Sequence, residues 1–249
     1  MTEKTTHPDY SLFYTSNRVR FVTAFDTIRR AVVDYISKQS TSEAANGIVN
    51  EAAFNFDRIL PELPYVGGDD HPGTRFIVNA GQWIAIYKSM IKRGYKASEV
   101  GQMMYSIYEE KLKEVSPDEL KKQKALTFSG EYINLMKQWA ESTSPYECDW
   151  KADFIEGDGV DFDYGLDYRS CPCFELFKAQ NVKQLAPFFC LLDFPEAKQL
   201  NSGFFRTKTL AQGDEICNFR YKKGKEVVQN WDTEVEKILT MQNQSADNA

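Results

Sequence analysis

Apolar residues recur at three- and four-residue steps through the first half of this chain and then give way to alternation. From Arg18 to Lys38, the residues Val22, Phe25, Ile28, Val32 and Ile36 fall on one helical face. A second helix is predicted from Ser42 to Ile59, burying Ala45, Ile48, Val49, Ala52, Phe56 and Ile59 and stopping at Pro61. The third, Thr74 to Lys92, is apolar on most sides and ends before Gly94, a good residue for the position after a helix. The fourth, Ser98 to Lys113, carries Val100, Met103, Met104, Ile107 and Tyr108. Ser116-Pro117-Asp118-Glu119 then supplies a cap, a proline at the first helical position and a glutamate three residues after the cap. A fifth helix therefore starts at Pro117 and continues to Glu141, with Ser129-Gly130 as the place where it would break.

Beyond a linker at Ser142 to Pro145, the period changes. Phe162 to Tyr168 alternates apolar and polar residues, as a half-buried strand does, and Trp150 to Ile155 is its partner across the turn-rich Gly157-Asp158-Gly159. Pro172 to Gln180 and Val182 to Leu192 read as two short helices. Phe204 to Leu210 and Ile216 to Tyr221 read as a hairpin across Gln212-Gly213-Asp214. The expected fold class is α+β, a helical region over residues 1–145 packed on an α/β region over 146–240. A polar tail over 241–249 is expected to lack structure.

Composition narrows the function. The formal charge is −6 with both signs mixed along the chain, so no basic groove for nucleic acid is expected. The first residues lack the basic and apolar regions of a secretory signal. The most apolar stretch, Phe76 to Ile91, includes Asn79, Gln82 and Lys88 and is too short to span a membrane, so a buried helix is expected and no membrane partner. Five cysteines, an odd number, point to reduced thiols in the cytoplasm and not to a disulfide framework.

Four of those cysteines, Cys171, Cys173, Cys190 and Cys217, lie between Asp167 and Tyr221, with Asp193 three residues beyond Cys190 and Arg206 and Arg220 on the expected hairpin. Thiols, a carboxylate and two guanidiniums in so short a span suit a small anionic or sulfur-containing ligand. Each also has a plain alternative. Free cysteine often simply packs, Asp193 suits a helix or turn cap, and the two arginines suit a solvated outer face. His71, in Gly67-Gly68-Asp69-Asp70-His71-Pro72-Gly73, reads first as a turn residue. That loop is not a phosphate loop, because the Lys-Ser/Thr ending is missing. Zinc thiolate sites show paired C-x2-4-C ligands, whereas this chain has C-x-C and C-x-x-D. No cofactor is therefore expected. A zinc ion held by the thiolates with Asp193 or His71 is the alternative.

The order D-Y-x-x-C, P-x-x-C-x-x-D, R-T-x-T-L-A-x-G-x-x-x-C-x-F-R-Y resembles the L-2-amino-thiazoline-4-carboxylic acid hydrolase family. Leu63 to Gly68, reading L-P-Y-V-G-G, and Glu99-Val100-Gly101 fit the same pattern, and the likeness runs from about Leu60 to Lys223. The pattern has Asp after the last cysteine, where this chain has Asn218. The resemblance implies opening of a cyclic isothiourea: water adds at the carbon between ring sulfur and nitrogen, and a carbamoyl-cysteine is released. In such a site Cys171, Cys190 and Cys217 are candidate nucleophiles or metal ligands and Asp193 a candidate base. Arg206 or Arg220 would clamp the carboxylate of a small-molecule substrate, with Thr207 and His71 as further substrate contacts. Cys148 and Cys173 fit the pattern least and read as structural. The last hairpin also resembles, faintly, ligand-binding domains of the four-vinyl-reductase type, which would bind without turnover. A purely structural protein, with aromatic-rich helices as a homo-oligomer interface, is a third reading.

Overall fold

A computed structural model of the chain describes residues 11–142 and 144–247. His7 and all but the last three residues of the segment 1–13 read for a secretory signal lie outside the described residues. The chain folds as α+β: eleven helices and one three-stranded sheet among the described residues. It divides into two compact units, Met1–Gly94 and Tyr95–Ala249. The change of character at Ser142 is therefore a change of secondary structure inside the second unit. It is not where the units part.

The first unit holds α1 (Ser11–Ser16), α2 (Arg18–Ile36), α3 (Ser42–Ile59) and α4 (Thr74–Ile91). On α3 all six predicted apolar positions are buried, and Thr41 caps the helix by accepting from the Ala44 N–H at 3.2 Å. On α2 the buried stripe is Phe21, Phe25, Val32 and Ile36, so Phe21 takes the place predicted for Val22. Phe25 meets Phe56 of α3 with ring centroids 4.9 Å apart. Gly81 lets α4 come close to the chain before it, because a Cβ there would lie 2.8 Å from Leu63 Cδ2.

The second unit opens with α5 (Ala97–Leu112), α6 (Pro117–Thr127) and α7 (Gly130–Glu141). Ser116 and Ser129 cap α6 and α7 by accepting from the Glu119 and Tyr132 N–H groups. The second cap turns the predicted break at Ser129-Gly130 into a complete helix boundary. The strands β1 (Lys151–Glu156), β2 (Tyr164–Ser170) and β3 (Cys217–Tyr221) form an antiparallel sheet in the order β1-β2-β3. Between β2 and β3 run α8 (Pro172–Ala179), a 3-10 turn at Lys183–Leu185, α9 (Ala186–Cys190) and α10 (Asp193–Leu200).

Three expectations change here. The single helix predicted over Val182 to Leu192 is split into the 3-10 turn and α9, and Asp193 starts a further helix. The hairpin is reduced to one bridge, Phe205 opposite Arg220, because the chain after it turns inward. Thr209 N–H is tied to Asp214 Oδ2 at 2.8 Å, and Gly213 takes φ of 98°, a left-handed turn that glycine adopts freely. Finally, α11 (Trp231–Asp247) runs through most of the segment expected to be an unstructured tail. Its Trp231 ring packs 5.8 Å from Tyr105 and 5.6 Å from Phe188. A helix anchored by that packing can carry polar residues at its far end. Among the described residues, no helix is long and apolar enough to cross a membrane.

Register sorts the sheet's side chains into two faces. Tyr164, Leu166 and Tyr168 of β2 lie opposite Tyr221, Phe219 and Cys217 of β3, and directly opposed residues share a face. On that face Phe204 covers Phe219 and Tyr221 at 4.8 and 5.3 Å, and Trp139 of α7 meets Tyr168 at 6.0 Å. Alternation puts Gly165, Asp167, Asn218 and Arg220 on the other face. The helix carrying Cys190 is brought in against α5: a Cβ on Gly101 would lie 2.6 Å from Phe188 Cβ, so only glycine permits this approach.

Candidate functional site

Strand β2 delivers Cys171 to the start of α8. The residue is extended, with φ −141° and ψ 109°, and Pro172 follows at the first helical position, where its missing N–H costs nothing. Cys171 is thus the N-cap of α8, with the Cys173 and Phe174 N–H groups at the next two positions. Its thiol closes no capping hydrogen bond in the neutral state, but it feels these donors. The Cys171 pKa is lowered, first by hydrogen bonding from the Cys173 thiol, against the opposing effect of burial, and then by the Phe174 and Cys173 N–H groups and the Trp150 side chain. As a residue Cys171 is intermediate in exposure, between the buried Cys173 and Cys217 and the exposed Cys148.

The other thiols behave oppositely. Burial raises Cys217 to about 11, and burial raises Cys190 well above the ordinary range despite the Arg206 charge. Cys173 is raised by its role as donor to Cys171 and by burial. Cys217 Sγ accepts from the Leu210 N–H at 3.2 Å, which fixes it toward the loop after Arg206. Of these four thiols, Cys171 alone is shifted toward the thiolate.

Asp193, the first residue of α10, faces Arg206. The guanidinium binds Asp193 Oδ2 through Nη1 and donates from Nη2 to the Cys190 carbonyl at 2.6 Å. Its carbon lies 4.7, 5.2 and 5.6 Å from the ring centroids of Phe194, Phe219 and Phe204. Gln229 pins the Arg206 backbone from both sides, at 3.0 and 2.9 Å. Arg206 is 4% exposed, whereas the Asp193 side chain is 44% exposed. Burial is nevertheless the largest influence on Asp193 and raises its pKa beyond what Arg206 offsets. Arg206 stays charged; its pKa is raised, with Asp193 and Cys190 overcoming the effect of burial.

Cys171, Cys190, Cys217, Asp193 and Arg206 form one electrostatic neighbourhood. The charges of Cys171 and Asp193 both act on Tyr168, Cys190 and Cys217. Other predicted residues are elsewhere. Arg220, on the opposite face of the sheet, pairs with Asp167 at 2.6 Å and lies 5.2 Å from the Phe162 ring. Arg206 has both terminal nitrogens engaged within the protein, whereas Arg220 uses Nη1 for Asp167 and for the Phe219 carbonyl. Thr207 is exposed and bound to Asn218. Asn218 Oδ1 accepts from the Thr207 and Lys208 N–H groups at 2.9 and 2.7 Å, and its Nδ2 donates to Thr207 Oγ1 at 2.9 Å. Position 218 thus staples the loop that carries Arg206, a task for which an amide serves as well as a carboxylate. His71 belongs to the first unit, where its Nδ1 accepts from the Gly73 N–H at 3.0 Å. Cys148 is exposed.

Trp150, Tyr168 and the donor role of Cys173 escape the sequence reading. Pro172 marks Cys171 as a helix cap and could have singled it out. No local signal places Trp150 against it. Among the described residues, no group of three or more His, Cys, Asp and Glu side chains is arranged to hold a metal ion.

No curated protein and no solved structure matches the chain. The family model described as L-2-amino-thiazoline-4-carboxylic acid hydrolase matches residues 75–221, which takes in every strand, α5 to α10 and the whole thiol, Asp193 and Arg206 neighbourhood. With more than half of its length accounted for in this way, the chain belongs to the L-2-amino-thiazoline-4-carboxylic acid hydrolase family, a family of hydrolases.

Proposed function

We propose that this protein opens a small cyclic isothiourea, 2-amino-thiazoline-4-carboxylate or a close relative, by hydrolysis through Cys171. The observation that carries this reading is the placement of Cys171 at the N-cap of α8, in one neighbourhood with Asp193, where the Cys173 thiol and the α8 N–H groups favour its thiolate while burial raises Cys190 and Cys217. A thiolate is the nucleophilic form of cysteine. Its sulfur adds to the ring carbon between sulfur and nitrogen, and the tetrahedral adduct collapses with loss of the ring sulfur as a thiol. This leaves the carbon bonded to the enzyme sulfur, to the former ring nitrogen and to the exocyclic nitrogen. Water then adds at that carbon and the Cys171 thiolate departs, giving a carbamoyl-cysteine with one water consumed overall. Asp193, whose side chain is partly exposed beside Arg206, is the carboxylate available to take a proton from that water and return one to the leaving sulfur. Five free thiols fit a reducing compartment such as the cytoplasm.

The test is Cys171→Ser with Cys217→Ser beside it. The first variant loses turnover and the enzyme-bound intermediate that acid quenching of wild type traps on the Cys171 peptide. The second keeps both. Full turnover by Cys171→Ser, or ligand binding by wild type with no consumption of any thiazoline, would replace this reading, the latter by a non-catalytic binding domain.

A further inference from the structure

Asp193 and Arg206 make an unequal pair. Arg206 is sealed: both terminal nitrogens are engaged, three aromatic rings surround the guanidinium and it is almost wholly buried. Its only outlet is through Asp193, whose Oδ2 it holds. Among the described residues nothing donates to Asp193 Oδ1, and this side chain keeps nearly half its surface open. The pair therefore presents its negative end to an incoming ligand. The thiolate form of Cys171 adds a second negative charge to the same neighbourhood. A purely structural ion pair has no need to leave its carboxylate facing outward with an acceptor unused.

We infer that Asp193 selects the ligand by charge: its Oδ1 accepts an N–H from a planar, cationic N–C–N group. The site would then take isothiouronium and amidinium ligands, cyclic or open, and discriminate against neutral isosteres that carry oxygen in place of one nitrogen. This rests on Cys171 being the nucleophile only for its consequence in catalysis. Addition of a thiolate to an already protonated isothiourea gives a neutral adduct, so no charge has to be created in that step. Asp193 acts here as a specificity-determining residue, and the same carboxylate is placed to pass the proton on afterwards.

The experiment compares two ligands on the intact protein by calorimetry: S-methylisothiouronium and its neutral isostere S-methyl thiocarbamate. Wild type is expected to favour the cation by about 10- to 100-fold, the range of one hydrogen bond to a charged group. Asp193→Asn brings the ratio near one, and Asp193→Glu restores part of it. Cys171→Ser, assayed in parallel, still favours the cation, because the hydrogen bond to Asp193 does not require the nucleophile, but by less than wild type once the thiolate charge is gone. Equal affinity of wild type for the two ligands overturns the inference, and that comparison decides the matter even if Asp193→Asn does not fold. A preference retained in folded Asp193→Asn overturns it as well. Loss of turnover in Asp193→Asn with the ligand ratio unchanged leaves the proposed hydrolysis standing and removes charge selection alone.

Discussion

Replacing Cys173 by alanine tests how Cys171 is activated. In the structure the largest influence lowering the Cys171 pKa is the Cys173 thiol, ahead of the Phe174 and Cys173 N–H groups and Trp150. A hydrogen bond to a charged group contributes about 1.5–3 kcal/mol, and a thiol is a weak donor, so the lower end applies. One pKa unit corresponds to about 1.4 kcal/mol, so losing this donor should raise Cys171 by about one unit. The backbone donors of α8 remain, because alanine keeps the N–H at position 173. The sign follows from linkage. Cys171 has its folded pKa below the unfolded value, so its contribution to stability is present above the unfolded pKa and is lost as pH falls through the folded one. The assay is the pH dependence of iodoacetamide alkylation, followed on the Cys171 peptide by mass spectrometry. The midpoint should move up by about one unit in Cys173→Ala, together with the acid limb of kcat/KM. Cys173→Ser should restore the wild-type midpoint or lower it further, since a hydroxyl is the stronger donor. An unmoved midpoint in Cys173→Ala would refute the reasoning, as would equal upward shifts in both variants.

Two further outcomes concern the frame around the site. Arg206→Met removes the cation from a buried pair and leaves the Cys190 carbonyl unpaired, so urea denaturation should show a loss of about 2–4 kcal/mol, below the figure for a fully buried pair because Asp193 is partly solvated. Arg206→Lys should lose less, and a variant within error of wild type would show that the pair is not structural. Gly101→Ala places a methyl 2.6 Å from Phe188 Cβ. It should cost about 1–3 kcal/mol by overpacking and displace α9, seen as faster alkylation of Cys190. An unchanged melting curve would contradict the close approach of α5 and α9.

What the sequence by itself determined was local. The 3.6-residue period of α3, the Pro61 stop and the caps at Ser116 and Ser129 are properties of a few neighbouring residues, and the structure keeps them. Pro172 after Cys171 also announces a helix cap, and the ordered C-terminal signature announces the family. Tertiary structure decided the rest. The two arginines are equivalent on an alternating pattern, yet strand register sends Arg220 to the face away from the thiols, while the inward turn after the Phe205 bridge buries Arg206 among three rings. The four clustered cysteines look alike in the chain. Only their solvation and donors, set by residues such as Trp150 and Leu210 that come from other segments, make Cys171 the acidic one and Cys217 an inert one. The far end of α11 reads as polar tail because its anchor is Trp231, packed on α5 and α9. Period and capping act within one helical turn. Charge state and burial depend on what the fold brings from elsewhere in the chain.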